Sequence, residues 1–214
     1  MIAPTAGWVE AEVSDEFPEL RLIELEVDAR PGRTPRSVQE RLRYLSSRFR
    51  GAQAVAQRQQ PVPWAYRVFY RHVGLDPDAD RTPAEAAMLE RLMHGGFRTD
   101  NLLDDALLVA LVETGVPVWA LDAARVDGTL GVRLARAGER LGRAEEAPPL
   151  PDGRLVVADE RSPLAVLFGE LAPGHGVTRD TEAMRLFSLQ VAGVPSIYVE
   201  EALFQCSEIL AEHR

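Results

Sequence analysis

Lysine is missing from this 214-residue chain: every one of its 24 basic residues is arginine. That bias fits a GC-rich genome, and it excludes Schiff-base chemistry, a lysine general base and a phosphate-loop lysine. Cysteine is nearly missing too. Cys206 stands alone, so an intramolecular disulfide framework is excluded and a reducing compartment is expected. No apolar run approaches the roughly 18 residues that a membrane span needs. The segment Met1–Glu10 has neither the basic region nor the continuous apolar core of a signal peptide. A cytoplasmic protein with no membrane partner is the expectation. The four histidines, His72, His94, His175 and His213, show no ligand spacing, so no metal site is expected. There is no G-x-S-x-G elbow, no G-x-G-x-x-G run and no phosphate loop, and no cofactor is expected.

What is present is ordinary for a globular chain, with 46% hydrophobic and 27% charged residues. The charge is unevenly placed. Ten arginines and one carboxylate, Glu40, lie between Ala29 and Arg71. That stretch carries +9 within a chain of net −9, which leaves −18 elsewhere. Such a split points to a polyanion or acidic partner for the basic part. The acidic remainder argues against non-specific coating of nucleic acid, and DNA is not expected as a partner.

Ile23, Leu25 and Val27 alternate with Glu24 and Glu26, as in a half-buried strand. Thr34-Pro35 then reads as a helix start, with Val38, Leu42, Leu45 and Phe49 as the buried stripe. Arg36, Arg43 and Arg50 fall on the opposite face, either as a solvated surface or as a docking face. A second helix is expected over Trp64–Val73, with most of its aromatics in the core. A third opens on the capping box Thr82-Pro83-Ala84-Glu85 and buries Met88, Leu89, Leu92 and Met93. A fourth opens at Asp100-Asn101 and stops at Gly115. Strands are expected from Val116 onward, with turns at Asp127-Gly128 and Asp152-Gly153. A closing helix puts Val199, Leu203, Cys206 and Leu210 on one face, which makes Cys206 a core thiol.

Several short elements share one order. They are Arg81-Thr82-Pro83, Gly96-Phe97-Arg98, Asn101-x-x-x-Asp105, Gly115-Val116-Pro117, Ala120-x-Asp122, Val132-x-Leu134-Ala135, Gly138-Glu139, Ala158-Asp159 and Val177-Thr178-x-x-Thr181. In that order the chain resembles the B3/B4 domain of the phenylalanyl-tRNA synthetase β subunit, the region that edits mischarged tRNA. It is closer still to free-standing relatives of that domain, which share a Phe-Pro-x-Leu element, here Phe17-Pro18-Glu19-Leu20.

The resemblance implies an α+β fold, a three-layer β-sandwich flanked by helices. Residues 1–60 are expected to supply N-terminal strands and the basic helix, packed on a B3/B4-like unit of residues 61–214. It also implies a pocket between layers for the aminoacyl end of a tRNA. The pocket positions fall on Trp119, Leu108, Gly176, Thr181, Asn101, Asp105 and Asp122. The family's polar groups are replaced at Trp119, Leu108 and Gly176, which weakens discrimination and hydrolysis. Asn101 and Asp105 also suit helix capping, and Asp122 a turn. Arg133 with Glu139 or Asp159 suits a buried ion pair. The expected partner is tRNA or aminoacyl-tRNA, held in part by Arg36, Arg43 and Arg50, with deacylation of mischarged tRNA in trans as the activity in view. An amino-acid or metabolite-binding module and a protein-interaction adaptor are the alternatives.

Overall fold

The computed structural model describes residues 3–212, and among them the strands divide between two four-stranded sheets. Strands β1 (Thr5–Ala6) and β2 (Trp8–Val9) are separated only by Gly7. A side chain there would meet the Leu130 carbonyl oxygen at 2.1 Å. Glycine therefore lets the chain step from one sheet to the other without a loop.

Helix α1 (Ala11–Glu16) leads to β3 (Arg21–Val27). A helical tract follows: α2 (Arg36–Arg48), α3 (Ala52–Ala56), α4 (Pro61–His72), α5 (Pro83–His94) and α6 (Leu102–Thr114). Next come β4 (Val118–Asp122), β5 (Gly131–Leu134), β6 (Leu155–Ala158), β7 (Pro163–Val166) and β8 (Met184–Gln190), and α7 (Ser196–Ala211) closes the fold. The first sheet runs β1-β3-β8-β4 and the second β2-β5-β6-β7. All neighbours are antiparallel except β2 and β5. The chain is α+β, and one main core takes side chains from both sheets and the helices. Helix α7 packs on β3 and β8, with α6 against α7. Its Val199, Leu203, Cys206 and Leu210 are buried, and burial pushes the Cys206 thiol well above its ordinary range. No helix among the described residues is long and apolar enough to cross a membrane.

Four local expectations change. Thr34 does not cap α2: Pro35 is the residue before its first turn, and the Thr34 hydroxyl donates to Asp105 instead. The β4–Asp127-Gly128–β5 segment is not a hairpin, because β4 lies in the first sheet and β5 in the second. In β3 the strand buries Glu24 along with Leu22 and Leu25. Arg185 on the paired strand bonds Glu24 at 2.8 Å and Glu26 at 2.7 Å, and pairing of this kind is what a buried carboxylate requires. On α5, Met88 is buried, but Leu92 and Met93 are exposed and Arg91 is buried. The Arg91 guanidinium donates to the Ser46 carbonyl at 2.7 Å, satisfying the last turn of α2.

Candidate functional site

The end of β4 and the loop before β8 form one polar corner. One carboxylate oxygen of Asp122 accepts the Ala124 N–H at 3.0 Å, and the other accepts the Thr181 hydroxyl at 2.8 Å. Thr181 is buried, and its hydroxyl oxygen also accepts the Thr178 N–H at 3.0 Å. The Asp122 N–H donates to the His175 carbonyl at 2.9 Å, which brings Gly176 to the same corner. A side chain at Gly176 would meet nothing within 4 Å. Asp122, Thr181 and Gly176 are thus assembled from segments far apart in the chain.

Trp119 belongs to a different surface of the same strand. Positions an odd number apart leave a strand on opposite faces, and Asp122 is occupied by Ala124 and Thr181. A bond from the indole N–H to Asp122 is therefore not made. Trp119 sits opposite Phe187 in the β4–β8 register, and their rings stack with centroids 5.6 Å apart and 17° between planes. Phe168 lies 5.8 Å from Trp119 and 4.7 Å from Tyr70, with Tyr66 and Phe69 at 6.2 and 6.0 Å. Phe168 adopts φ +59, a left-handed conformation that costs a bulky residue free energy. Phe168 and Phe187 were not singled out from sequence. Phe168 reads there as the end of a strand, and β7 stops at Val166.

Three other expected pocket residues lie elsewhere. Leu108 lines a separate hollow of about 80 Å³ with Arg91, His94 and Phe97. Asn101 caps α6: its side-chain oxygen accepts the Asp104 N–H at 3.0 Å. Asp105 accepts the Asp100 N–H at 3.1 Å and the Thr34 hydroxyl, tying the segment before α2 to the start of α6. Burial raises the Asp105 carboxyl above its ordinary value, while the Thr34 bond opposes the shift.

The expected ion pair forms between Arg133 and Glu139, with two bonds of 2.7 and 2.6 Å. The Arg133 guanidinium holds the Glu139 carboxyl below its ordinary range. Asp159 is not part of that pair. Its carboxylate accepts the backbone N–H groups of Asp127, Arg161 and Ser162 at 2.8 to 2.9 Å, because it closes the turn between β6 and β7. No group of three metal-ligating side chains occurs among the described residues; His213 lies outside them.

The basic stretch divides in two. Arg67 is buried between Asp78 and Glu85, Arg41 is bidentate to Glu113, and Arg30, Arg36 and Arg71 reach Glu182, Glu40 and Asp78. Arg33, Arg43, Arg48, Arg50 and Arg58 are exposed and make no ion pair among the described residues. Arg43 and Arg50 lie on the outer face of α2 and just beyond it, beside the 65%-exposed Tyr44.

A family model described as the B3/4 domain matches residues 65–193. The match takes in the Asp122–Thr181 corner and the aromatic group around Phe168, and it excludes α2. The chain is 36% identical over 110 residues to the phenylalanine–tRNA ligase β subunit of Streptomyces avermitilis, covering 51% of this chain and 13% of that one. To the same subunit of Colwellia psychrerythraea it is 37% identical over 118 residues, 54% of this chain and 14% of that one. To that of Xanthomonas oryzae pv. oryzae it is 33% identical over 144 residues, 66% and 16% of the two. The matches therefore span about one-seventh of the length of these relatives.

Proposed function

The chain belongs to the B3/4 domain family, and from that premise we propose that it binds tRNA, with an aminoacyl group as the ligand of its sandwich domain. The observation that carries this reading is the set of exposed, unpaired arginines, Arg33, Arg43, Arg48, Arg50 and Arg58, on an otherwise acidic chain. A guanidinium with no carboxylate partner is free to hold a phosphate oxygen through two parallel donors. The unpaired set lies outside the matched residues 65–193. It would add affinity for the nucleic acid to whatever the domain itself recognises.

Ester hydrolysis is the finer activity that the resemblance suggests. Orienting a water and stabilising an oxyanion both need free polar groups. Trp119 is packed between phenylalanine rings, Gly176 has no side chain and Leu108 is apolar. Thr181 and Asp122 are bonded to each other. These features support binding over turnover, with hydrolysis of tyrosyl-tRNA slow or absent. The stacked Trp119 also favours a compact, apolar aminoacyl group over a tyrosyl one.

The test is tRNA binding as a function of salt. Affinity should fall with a log–log slope of about −0.7 to −0.9 per phosphate contact. The triple variant Arg43→Gln, Arg48→Gln, Arg50→Gln should bind more weakly and with a shallower slope, whereas Arg36 is already paired with Glu40. A triple variant that binds like the parent overturns the role of this face.

A further inference from the structure

Helix α4 buries three of its four aromatic residues and leaves the fourth, Trp64, 46% exposed. Trp64, Arg67 and Arg71 follow at i, i+3 and i+7, so they share one face of the helix. The Arg71 guanidinium lies over the indole of Trp64, 5.9 Å from the ring centroid. Beside this face is a hollow of about 220 Å³ between α3, α4 and α5. Arg58, Arg67 and Arg81 line it, together with Val55, Leu89 and Leu92. Arg71 reaches Asp78, another lining residue, at 3.9 Å.

The charges around the hollow are not balanced. Arg67 is held by Asp78 and Glu85, so its role there is structural. Arg58 and Arg81 are exposed and have no ion-pair partner among the described residues. Arg58 acts electrostatically on Asp78 without pairing with it. An exposed aromatic ring on a face that also borders guanidinium groups open to solvent is the chemistry that holds an unpaired nucleotide, the base by its π-face and the backbone by its charge. An apolar ligand would leave Arg58 and Arg81 unused, and a simple anion would leave Trp64 unused.

We propose that the outer face of α4 is a stacking platform for a single-stranded nucleotide of the bound RNA. The base lies on Trp64, beside Arg71, and the flanking phosphates meet Arg58 and Arg81 at the rim of the hollow. The inference rests on the RNA-binding reading above and names the part of the RNA that α4 takes. Stacking accepts any base, so the platform supplies affinity for unpaired RNA and no sequence preference.

Tryptophan fluorescence tests it, because a stacked base quenches an indole. The protein is titrated with a short single-stranded oligoadenylate, and binding of tRNA is measured separately by anisotropy. Trp8 and Trp119 remain as internal references in a Trp64→Phe variant. Oligoadenylate should quench the parent and leave Trp64→Phe unquenched, and Trp64→Ala should bind it about ten-fold more weakly, within the range for loss of one base–aromatic stack. Arg58→Gln and Arg81→Gln should each make the salt slope shallower by about 0.7. Because Trp64 is half exposed, these variants should unfold at the parent temperature, which is checked in parallel. Equal quenching in Trp64→Phe, or parental affinity in Trp64→Ala, overturns the platform. If tRNA binds through the α2 arginines while Trp64 stays unquenched, the platform falls and the RNA reading stands. If oligoadenylate quenches Trp64 but tRNA does not bind, the tRNA reading falls and the platform for unpaired RNA stands.

Discussion

Arg133 and Arg43 carry the same group in opposite circumstances. Arg133 is enclosed at the end of β5, with both arms of its guanidinium on Glu139. Arg43 stands in solvent on α2 and makes no ion pair among the described residues. The same contrast separates Arg185, held by Glu24 and Glu26, from Arg50. A guanidinium taken out of water must be paired, whereas one left in water can wait for a partner. Partnering therefore sorts the arginines of this chain into those that hold the fold and those free to bind.

The largest expected effect lies on the buried side. Glu139→Gln leaves Arg133 charged and short of a carboxylate, and should cost about 3–5 kcal/mol in chemical denaturation. Because the Glu139 carboxyl is held below its ordinary range, the stability it supplies is present above the unfolded-state value. It is lost as pH falls through the lower folded-state value. The parent should weaken in that acid window and the variant should show less of the change. A variant as stable as the parent would erase the contrast between the two kinds of arginine.

Trp119→Gly comes next. Removing an indole stacked on Phe187 should cost about 2–4 kcal/mol, less than for a fully buried ring because Trp119 is partly exposed. Calorimetry with phenylalanine, tyrosine, alanine and valine should show larger side chains accepted only by the variant. An unchanged preference would remove Trp119 from the site.

Asp105→Asn should change stability by about 1 kcal/mol or less, since both hydrogen bonds have a neutral equivalent. Burial raises the Asp105 carboxyl. Its contribution is therefore full below the unfolded-state value and is lost as pH rises through the folded-state one. Relative to the parent, the variant should gain toward neutral pH. A difference independent of pH would show that Asp105 is not strained by its burial.

The smallest effect on stability belongs to the exposed side. Arg43→Gln and Arg50→Gln should each stay within about 0.5 kcal/mol of the parent, even as tRNA affinity falls. A large loss of stability would place these arginines with Arg133.

Much of this was legible in the sequence because it depends on neighbours in the chain. The stripe Val38, Leu42 and Leu45 of α2 is buried as its spacing predicts, and so is that of α7. The Thr82–Glu85 capping box and the stop at Gly115 depend only on local backbone geometry. What could not be read depends on distant partners. Glu24 reads as a solvent-facing residue until Arg185 is brought opposite β3. Arg91 displaces Leu92 from the buried face only because the end of α2 offers it a carbonyl. The family order named Asp122 and Thr181 together, and the fold brings the two into contact. Which of the matched polar residues would cap a helix, as Asn101 does, or bridge two segments, as Asp105 does, needed the contacts themselves. The ring group at Phe168 rests on a left-handed backbone that carries no glycine to announce it.

The pairing of β3 with β8 also sets an order of events during synthesis. Residues 21–27 leave the ribosome early, yet the strand they pair with spans residues 184–190. Until that strand emerges, β3 has only the two residues of β1 to pair with, and the edge that β8 will take stays open to any passing chain. Such distant pairing also slows folding. Arg21, Glu24 and Glu26 punctuate the apolar run of β3 and act as gatekeepers against premature association. Glu24, one of a buried pair in the finished protein, thus guards the open edge of a nascent strand before β8 covers it.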